Sequence, residues 1–263
     1  MHLTRLAVAV VVLPLLYLSV VKLPPVFFFA LIAVVSALAQ SEFYSMYRVR
    51  GLMKISGLLA GFAILCAMYF SKDAYPEVIV AAFLIISGLR LAGTPNPLSS
   101  LRDISPVLIA LFYIPCSLGF QLLLRSDGPG WILFLFGCVW ASDSLAYYAG
   151  KTLGKKKLYP EVSPNKTVAG AFGSLAGGAL SGWFLGVVCV PQMGTARAIA
   201  SGFVIGVVTI VGDLVESMFK RDAGVKDSGG IIPGHGGILD KIDGALFAGP
   251  VVYWMSRAFG LIA

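Results

Sequence analysis

Charge is scarce in this 263-residue chain: 13% of positions are Asp, Glu, Lys or Arg, against roughly a quarter in soluble domains. That scarcity excludes an ordinary water-soluble domain, a charge-rich disordered chain and a coiled coil. Cysteine is equally sparse. Cys66, Cys116, Cys138 and Cys189 all sit inside apolar runs, without Cys-x-x-Cys spacing. They read as small core residues and exclude a disulfide scaffold. Only two histidines occur, with no second His or Cys at ligand spacing, which argues against a zinc site. No block of five or six basic residues exists to account for the net charge of +7 as a nucleic-acid surface. Scattered cations facing anionic lipid headgroups explain it better. There is no internal repeat, and no polar stretch long enough to fold as a soluble domain.

Apolar sequence fills the space that charge leaves. Hydrophobic residues make up 58% of the chain, and its mean hydropathy is +0.87. Nine apolar stretches can be marked, near 6–21, 24–41, 55–71, 77–94, 106–124, 130–150, 170–190, 197–216 and 242–262. Runs of about 20 apolar residues are long enough to cross a bilayer. The first is followed by Lys22-Leu23-Pro24 instead of a small-residue cleavage site, so it reads as a span and not a removed signal. The expected fold is an all-α integral membrane protein, a polytopic bundle of about nine transmembrane helices. It forms a single membrane domain over 1–263, with N-terminal spans in 1–128 and a catalytic half in 129–263. Thirty glycines suit close helix contacts in lipid. Pro24, Pro25, Pro106 and Pro129 mark segment starts, whereas Pro14, Pro115, Pro191 and Pro250 fall within or at the edge of runs and can kink them. With nine crossings, fifteen of the twenty basic residues fall on one side and five on the other. The richer side is then cytoplasmic, with the N-terminus inside and the C-terminus outside. The loops at 151–169 and 217–241 open on that same cytoplasmic face.

The chemistry concentrates near the end of the chain. Six of the thirteen acidic residues fall between positions 213 and 243: Asp213, Glu216, Asp222, Asp227, Asp240 and Asp243. Acids beside a bilayer core are costly and mark function. Asp213 and Glu216 are three apart near the end of one run and share a helix face; Asp240 and Asp243 repeat the spacing at the start of the next. Two such pairs on adjacent helices can converge, and hard carboxylate oxygens suit Mg²⁺ shared with substrate phosphates. Lys220, Arg221 and Lys226 lie between the pairs as phosphate partners. The stretch from Gly229 to Gly237 is glycine-rich and lets backbone amides approach an anion. Together these are the parts of metal-assisted phosphoryl or nucleotidyl transfer. A loop of mutually neutralising surface charges is the plainer reading. The i,i+3 placement of four acids at helix ends argues against it.

A second constellation lies upstream. Asp143 sits well inside a run, with Tyr147 one turn later and Gly150 beyond. It is either a functional intramembrane acid or a buried hydrogen-bond partner. Lys155, Lys156 and Lys157 read as a headgroup-facing topology signal, and the turn Ser163-Pro-Asn-Lys166-Thr167 as a phosphate contact. His235 reads equally as a general base or a backbone-bonded loop histidine.

On these residues the chain resembles the phosphatidate cytidylyltransferases, also called CDP-diacylglycerol synthases. Ser217-Met-Phe-Lys220-Arg221, Lys226-Asp227 and Pro233-Gly-His235-Gly-Gly237-Ile-Leu-Asp240-Lys-Ile-Asp243 match that family's C-terminal motif. Asp143, Ala146, Tyr147, Gly150 and Ser163 to Thr167 with Gly170 resemble its second conserved region. Two departures stand out. Lys241 replaces the family's usual arginine, which keeps the charge but loses the bidentate fork, and Asn165 stands where a lysine is usual. The resemblance implies that CTP and phosphatidate give CDP-diacylglycerol and pyrophosphate, early in phospholipid synthesis. It implies Mg²⁺, with room for a second cation beside it, a homodimer, and an active site on the cytoplasmic face of a bacterial-type inner membrane.

The expected site follows. Asp213, Asp240 and Asp243 are the metal ligands, with Asp143 and Asp227 completing or orienting the shell. Lys220, Arg221 and Lys226 hold phosphate. Ser163, Lys166, Thr167, His235, Gly236, Gly237, Lys241 and Tyr147 bind substrate. Two rivals are a related membrane transferase or kinase acting on another lipid with CTP, and a transporter or channel with acids along a conduction path. The rival transport path needs acids through the bilayer depth, whereas here they gather at one end.

Overall fold

In lipid every backbone N–H and C=O must find its partner within the segment, so apolar runs of membrane length become helices. The computed structural model describes residues 14–93, 96–230 and 236–262. A π-helical turn at Leu18–Lys22 leads into helices α1 (Pro25–Met46), α2 (Gly51–Phe70), α3 (Tyr75–Gly93), α4 (Pro97–Ser126), α5 (Pro129–Leu153), α6 (Val168–Cys189), α7 (Thr195–Asp222) and α8 (Leu239–Ala258). Between α5 and α6 lies a two-stranded antiparallel ribbon, β1 (Lys157–Tyr159) and β2 (Ser163–Thr167), pairing Lys157 with Thr167 and Tyr159 with Ser163. The described residues are thus all-α apart from this ribbon.

Seven helices, α1 to α7, are long and apolar enough to cross a membrane, so the protein is multi-pass and membrane-embedded. This is fewer than the nine expected. The stretch 6–21 lies partly outside the described residues. The ninth stretch forms α8, but that helix opens on Asp240, Lys241 and Asp243 and carries Arg257 near its end, which lowers its apolar character.

The prolines fall largely as expected. Pro25 and Pro129 open their helices, where a missing N–H costs nothing. Pro115 sits in a π-helical turn, Phe112–Cys116, that absorbs the lost hydrogen bond. Pro106 is a correction: α4 begins earlier than its apolar run, so Pro106 lies inside the helix instead of at its start.

The described residues form two compact units. The first takes those up to Leu123 together with Asp227–Asp240. Phe29 packs against Phe62, Tyr69 and Phe70, and Gln40 donates to the Tyr44 hydroxyl and the Gly57 carbonyl. The buried Arg90 guanidinium donates to Asp103 at 2.6 Å, to the Asn96 carbonyl at 2.9 Å and to Ser99 at 3.0 Å, which locks the corner between α3 and α4.

The second unit takes Leu124–Lys226 and the chain from Lys241 onward. Its helices pack through small residues. A Cβ on Gly173 would lie 2.6 Å from the Leu145 carbonyl oxygen, and one on Gly206 would lie 2.6 Å from that of Ser174. Backbones therefore touch where side chains are absent. On α6 the pattern is inverted relative to a soluble helix: Gly170, Gly173, Gly177, Gly178 and Gly182 are buried, while Phe172, Leu180, Phe184 and Val188 are exposed. Large apolar groups facing outward are what a lipid solvent selects. All four cysteines are free thiols, as their spacing predicts.

Candidate active site

Two groups of polar side chains stand out, one in each unit. The first is carried by α7 and α8 in the second unit. Gly212 allows it to form: a Cβ there would lie 2.6 Å from the Asp243 carbonyl oxygen, so only glycine lets the start of α8 approach α7. The next residue, Asp213, is thereby set beside Asp243. Glu216 follows one turn along α7. Carboxylate oxygens of Asp213, Glu216 and Asp243 all lie within 4.8 Å of one another.

Cations surround this cluster. Lys166 of β2 forms an ion pair with Asp213. Lys220 Nζ donates to Glu216 Oε2 at 2.8 Å, one turn on along the same helix, with both groups buried. Ser217 Oγ donates to Asp213 Oδ1 at 3.4 Å. Asp143 of α5 is within electrostatic reach of Asp213, Lys166 and Lys241, and Asp243 within reach of Asp143. Three converging carboxylates are a hard-oxygen donor set, and their mutual repulsion favours a bound divalent cation. The residues fit such an ion: the three oxygens come from two helices held at fixed separation, and Glu216 is 1% exposed.

The second group is in the first unit, around the glycine-rich loop. Asp240 Oδ2 accepts from Ser228 N at 3.1 Å, Ser228 Oγ at 2.7 Å and Gly237 N at 2.8 Å. Glu42, in the last turn of α1, accepts from Ile238 N at 3.0 Å, Leu239 N at 2.9 Å and Ser228 Oγ at 3.3 Å. Gly236 has φ +84°, and a Cβ on it would lie 2.7 Å from Asp240 Oδ2. A side chain there is disfavoured twice, by the left-handed backbone and by the carboxylate.

The remaining expected residues fall as follows. Thr167 caps α6, its Oγ1 accepting from Gly170 N at 3.1 Å, and it is buried against Gly150 and Gly154. Ser163 opens β2 and is half-buried. Arg221 is exposed and donates to the carbonyls of Val162 at 3.4 Å and Val225 at 3.2 Å. Lys226, Asp227 and Lys241 are exposed. Tyr147 is exposed, with Lys151 Nζ 5.8 Å from its ring centre. Gly237 is buried in the Asp240 and Glu42 bonds. His235 lies outside the described residues.

Three of the four paired acids therefore converge, while Asp240 turns to the loop. Glu216 was visible as a spacing partner of Asp213 but carried no assigned role. Glu42 was missed. Its signal is a lone carboxylate at the end of an otherwise apolar helix.

Comparison with known proteins bears on this arrangement. The sequence model of the Cytidylyltransferase family matches residues 3–259. The chain is similar to the phosphatidate cytidylyltransferase of Synechocystis, with 34% identity over 264 residues and 87% of each chain covered. It is also similar to that of Bacillus subtilis, 34% identical over 194 residues that cover 73% of this chain and 72% of the relative. A third similar protein is that of Brucella abortus, 42% identical over 152 residues that cover 57% of this chain and 56% of the relative.

Proposed function

This chain belongs to the Cytidylyltransferase family, and on that premise we infer that it is a phosphatidate cytidylyltransferase. CTP and phosphatidate react to give CDP-diacylglycerol and pyrophosphate, a step of phospholipid synthesis. The observation that carries the reading is the convergence of Asp213, Glu216 and Asp243 beside Lys166 and Lys220, within the family match.

A phosphate oxygen of phosphatidate attacks the α-phosphorus of CTP, and pyrophosphate leaves. The nucleophile is already anionic near neutral pH, so positioning and charge neutralisation matter more than a strong base. Asp213, Glu216 and Asp243 would hold Mg²⁺, with Asp143 close enough to orient the shell. A bound Mg²⁺ neutralises phosphate charge and aligns the reacting oxygens. Lys166, Lys220, Arg221, Lys226 and Lys241 supply cations for the triphosphate and the lipid phosphate. Asp240 holds Ser228 and Gly237, on either side of the glycine-rich stretch, through its Oδ2. Asp227 and Ser163 flank these groups in sequence.

The reaction calls for a membrane enzyme because phosphatidate keeps its acyl chains in lipid and presents its phosphate at the interface. The ribbon after α5 and the end of α7 carry the cations, and the excess of basic residues on that side supports a cytoplasmic site at the inner membrane. A homodimer remains part of this reading through the family resemblance alone. The test is incubation of purified protein with labelled CTP, phosphatidate and Mg²⁺. A labelled liponucleotide with stoichiometric pyrophosphate is expected. Its absence in folded, Mg²⁺-loaded protein, or ion flux in proteoliposomes without product, would overturn the assignment.

A further inference from the structure

Two lysines meet the converging carboxylates of the second unit, and they are held differently. Lys220 donates to Glu216 at 2.8 Å from one turn along the same helix, and its side chain is 10% exposed. That pairing is fixed by the pitch of α7. Lys166 arrives from another element, the second strand of the ribbon, and its side chain is 21% exposed. It pairs with Asp213 Oδ2. It is also within electrostatic reach of Asp143 and Asp243, so one ammonium serves acids from α5, α7 and α8.

The backbone around Lys166 is anchored on both sides. Thr167 Oγ1 accepts from Gly170 N at 3.1 Å, and Arg221 of α7 donates to the Val162 carbonyl at 3.4 Å. What is left to move is the four-carbon stem, with its many rotamers. The two oxygens of Asp213 are shared out: Oδ1 accepts from Ser217 Oγ at 3.4 Å, and Oδ2 faces the ammonium. A divalent ion drawn to the three carboxylates therefore meets Lys166 at Oδ2. Two cations against one oxygen repel each other. The doubly charged one gains more from three carboxylates than the ammonium does from one.

We propose that Lys166 sets the affinity of the Asp213, Glu216 and Asp243 cluster for Mg²⁺, as an internal cation that competes for Asp213 and yields it to the ion. The proposal rests on the reading of these carboxylates as metal ligands. Lys220 does not share this part. Withdrawing it would take the paired ammonium from Glu216, which is 1% exposed, and a buried carboxylate that loses its partner is costly. Lys166 can leave, because Asp213 is 39% exposed and keeps water as a partner. The lysine softens the repulsion among the acids and, by the same charge, keeps the ion from binding too tightly to exchange.

The experiment titrates Mg²⁺ calorimetrically into the full chain in detergent, without CTP or lipid. It compares the wild type with Lys166→Met, Lys166→Gln, Lys166→Arg and Lys157→Gln, and records unfolding temperatures in chelator and in saturating Mg²⁺. Lys166→Met and Lys166→Gln are expected to bind Mg²⁺ about tenfold more tightly. Lys166→Arg keeps the charge and is expected to stay within about threefold of the wild type. Lys157→Gln removes an exposed cation of the same ribbon and is expected to change affinity less than about twofold. The unfolding temperature of Lys166→Met is expected to fall in chelator and to recover in Mg²⁺, whereas a lysine that only braces the fold would lower it in both. A second measurement needs no variant. Coupling is reciprocal, so Mg²⁺ is expected to speed acylation of Lys166 by an amine-reactive reagent in the wild type, and this carries the test should the variants fail to fold. A folded Lys166→Met with unchanged or weaker Mg²⁺ affinity would overturn the proposal. So would equal tightening in Lys157→Gln, or unchanged acylation of Lys166 in Mg²⁺-saturated wild type. A wild type that binds no Mg²⁺ would overturn the metal reading and the proposal with it. Mg²⁺ binding that Lys166→Met tightens, without liponucleotide formation by the wild type, would overturn the function alone.

Discussion

Asp213 answers to two partners, Lys166 from the ribbon and Ser217 one turn along its own helix. It also faces two other carboxylates. Replacing it with asparagine keeps the volume and removes the charge that a divalent ion needs. Asp213→Asn is expected to lower kcat by about a hundredfold or more, since it removes charge stabilisation from the reacting centre. Mg²⁺ is expected to raise the unfolding temperature of the wild type and not of this variant. Liponucleotide formation and thermal unfolding, each with and without Mg²⁺, check both statements. At this scale the spacing of Asp213 and Glu216 told that they share a helix face, and the structure brings Asp243 of the next helix to them. Asp240 obeys the same spacing relative to Asp243 and yet serves the loop. The reason is its place in the first turn of α8, where a short acidic side chain bonds back to preceding N–H groups. Glu42 was illegible because its partners are backbone amides nearly two hundred positions away, and amides leave no side-chain pattern to read.

At the scale of elements, the approach of α8 to α7 depends on Gly212 and its missing side chain. Gly212→Val would drive a branched side chain into the Asp243 carbonyl and is expected to destabilise the fold by about 1–3 kcal/mol. It should also separate Asp213 from Asp243, so activity is expected to fall more than stability alone explains. Thermal unfolding set beside the specific activity of the folded fraction tests this; wild-type activity in a folded Gly212→Val would show that the spacing is unimportant. The long helices were legible because runs of apolar residues leave the backbone no other choice in lipid. The ribbon of β1 and β2 was not, since strands of three and five residues carry too few positions to display a period. The early start of α4 was hidden by its polar first turn, Ser99 to Asp103, which holds Arg90.

For the whole molecule, the question is which loops face the cytoplasm. On the proposed orientation, drawn from the distribution of lysine and arginine, position 155 is expected inside and position 72 outside. Single cysteines introduced at these two positions in a background lacking the native four should react with a membrane-impermeant reagent from opposite faces. Labelling of position 72 from the same face as position 155 would overturn the three crossings, α3 to α5, that separate them. The sequence reading counted nine crossings because it weighed each run by length and apolar content. Seven described helices meet that standard, and α8 departs from it because the acids and lysine at its start belong to the chemistry.

The bond between Lys220 and Glu216 has a consequence for biogenesis. A helix that entered the bilayer with Glu216 alone would drag an uncompensated anion past the translocon. Because the ammonium sits one turn away on the same segment, the charge of Glu216 meets its partner as soon as that turn winds, whereas Asp213 meets Lys166 only when the ribbon packs on the helix. Half of the acidic pair on this helix is thus neutralised within the segment, and the other half only by tertiary assembly.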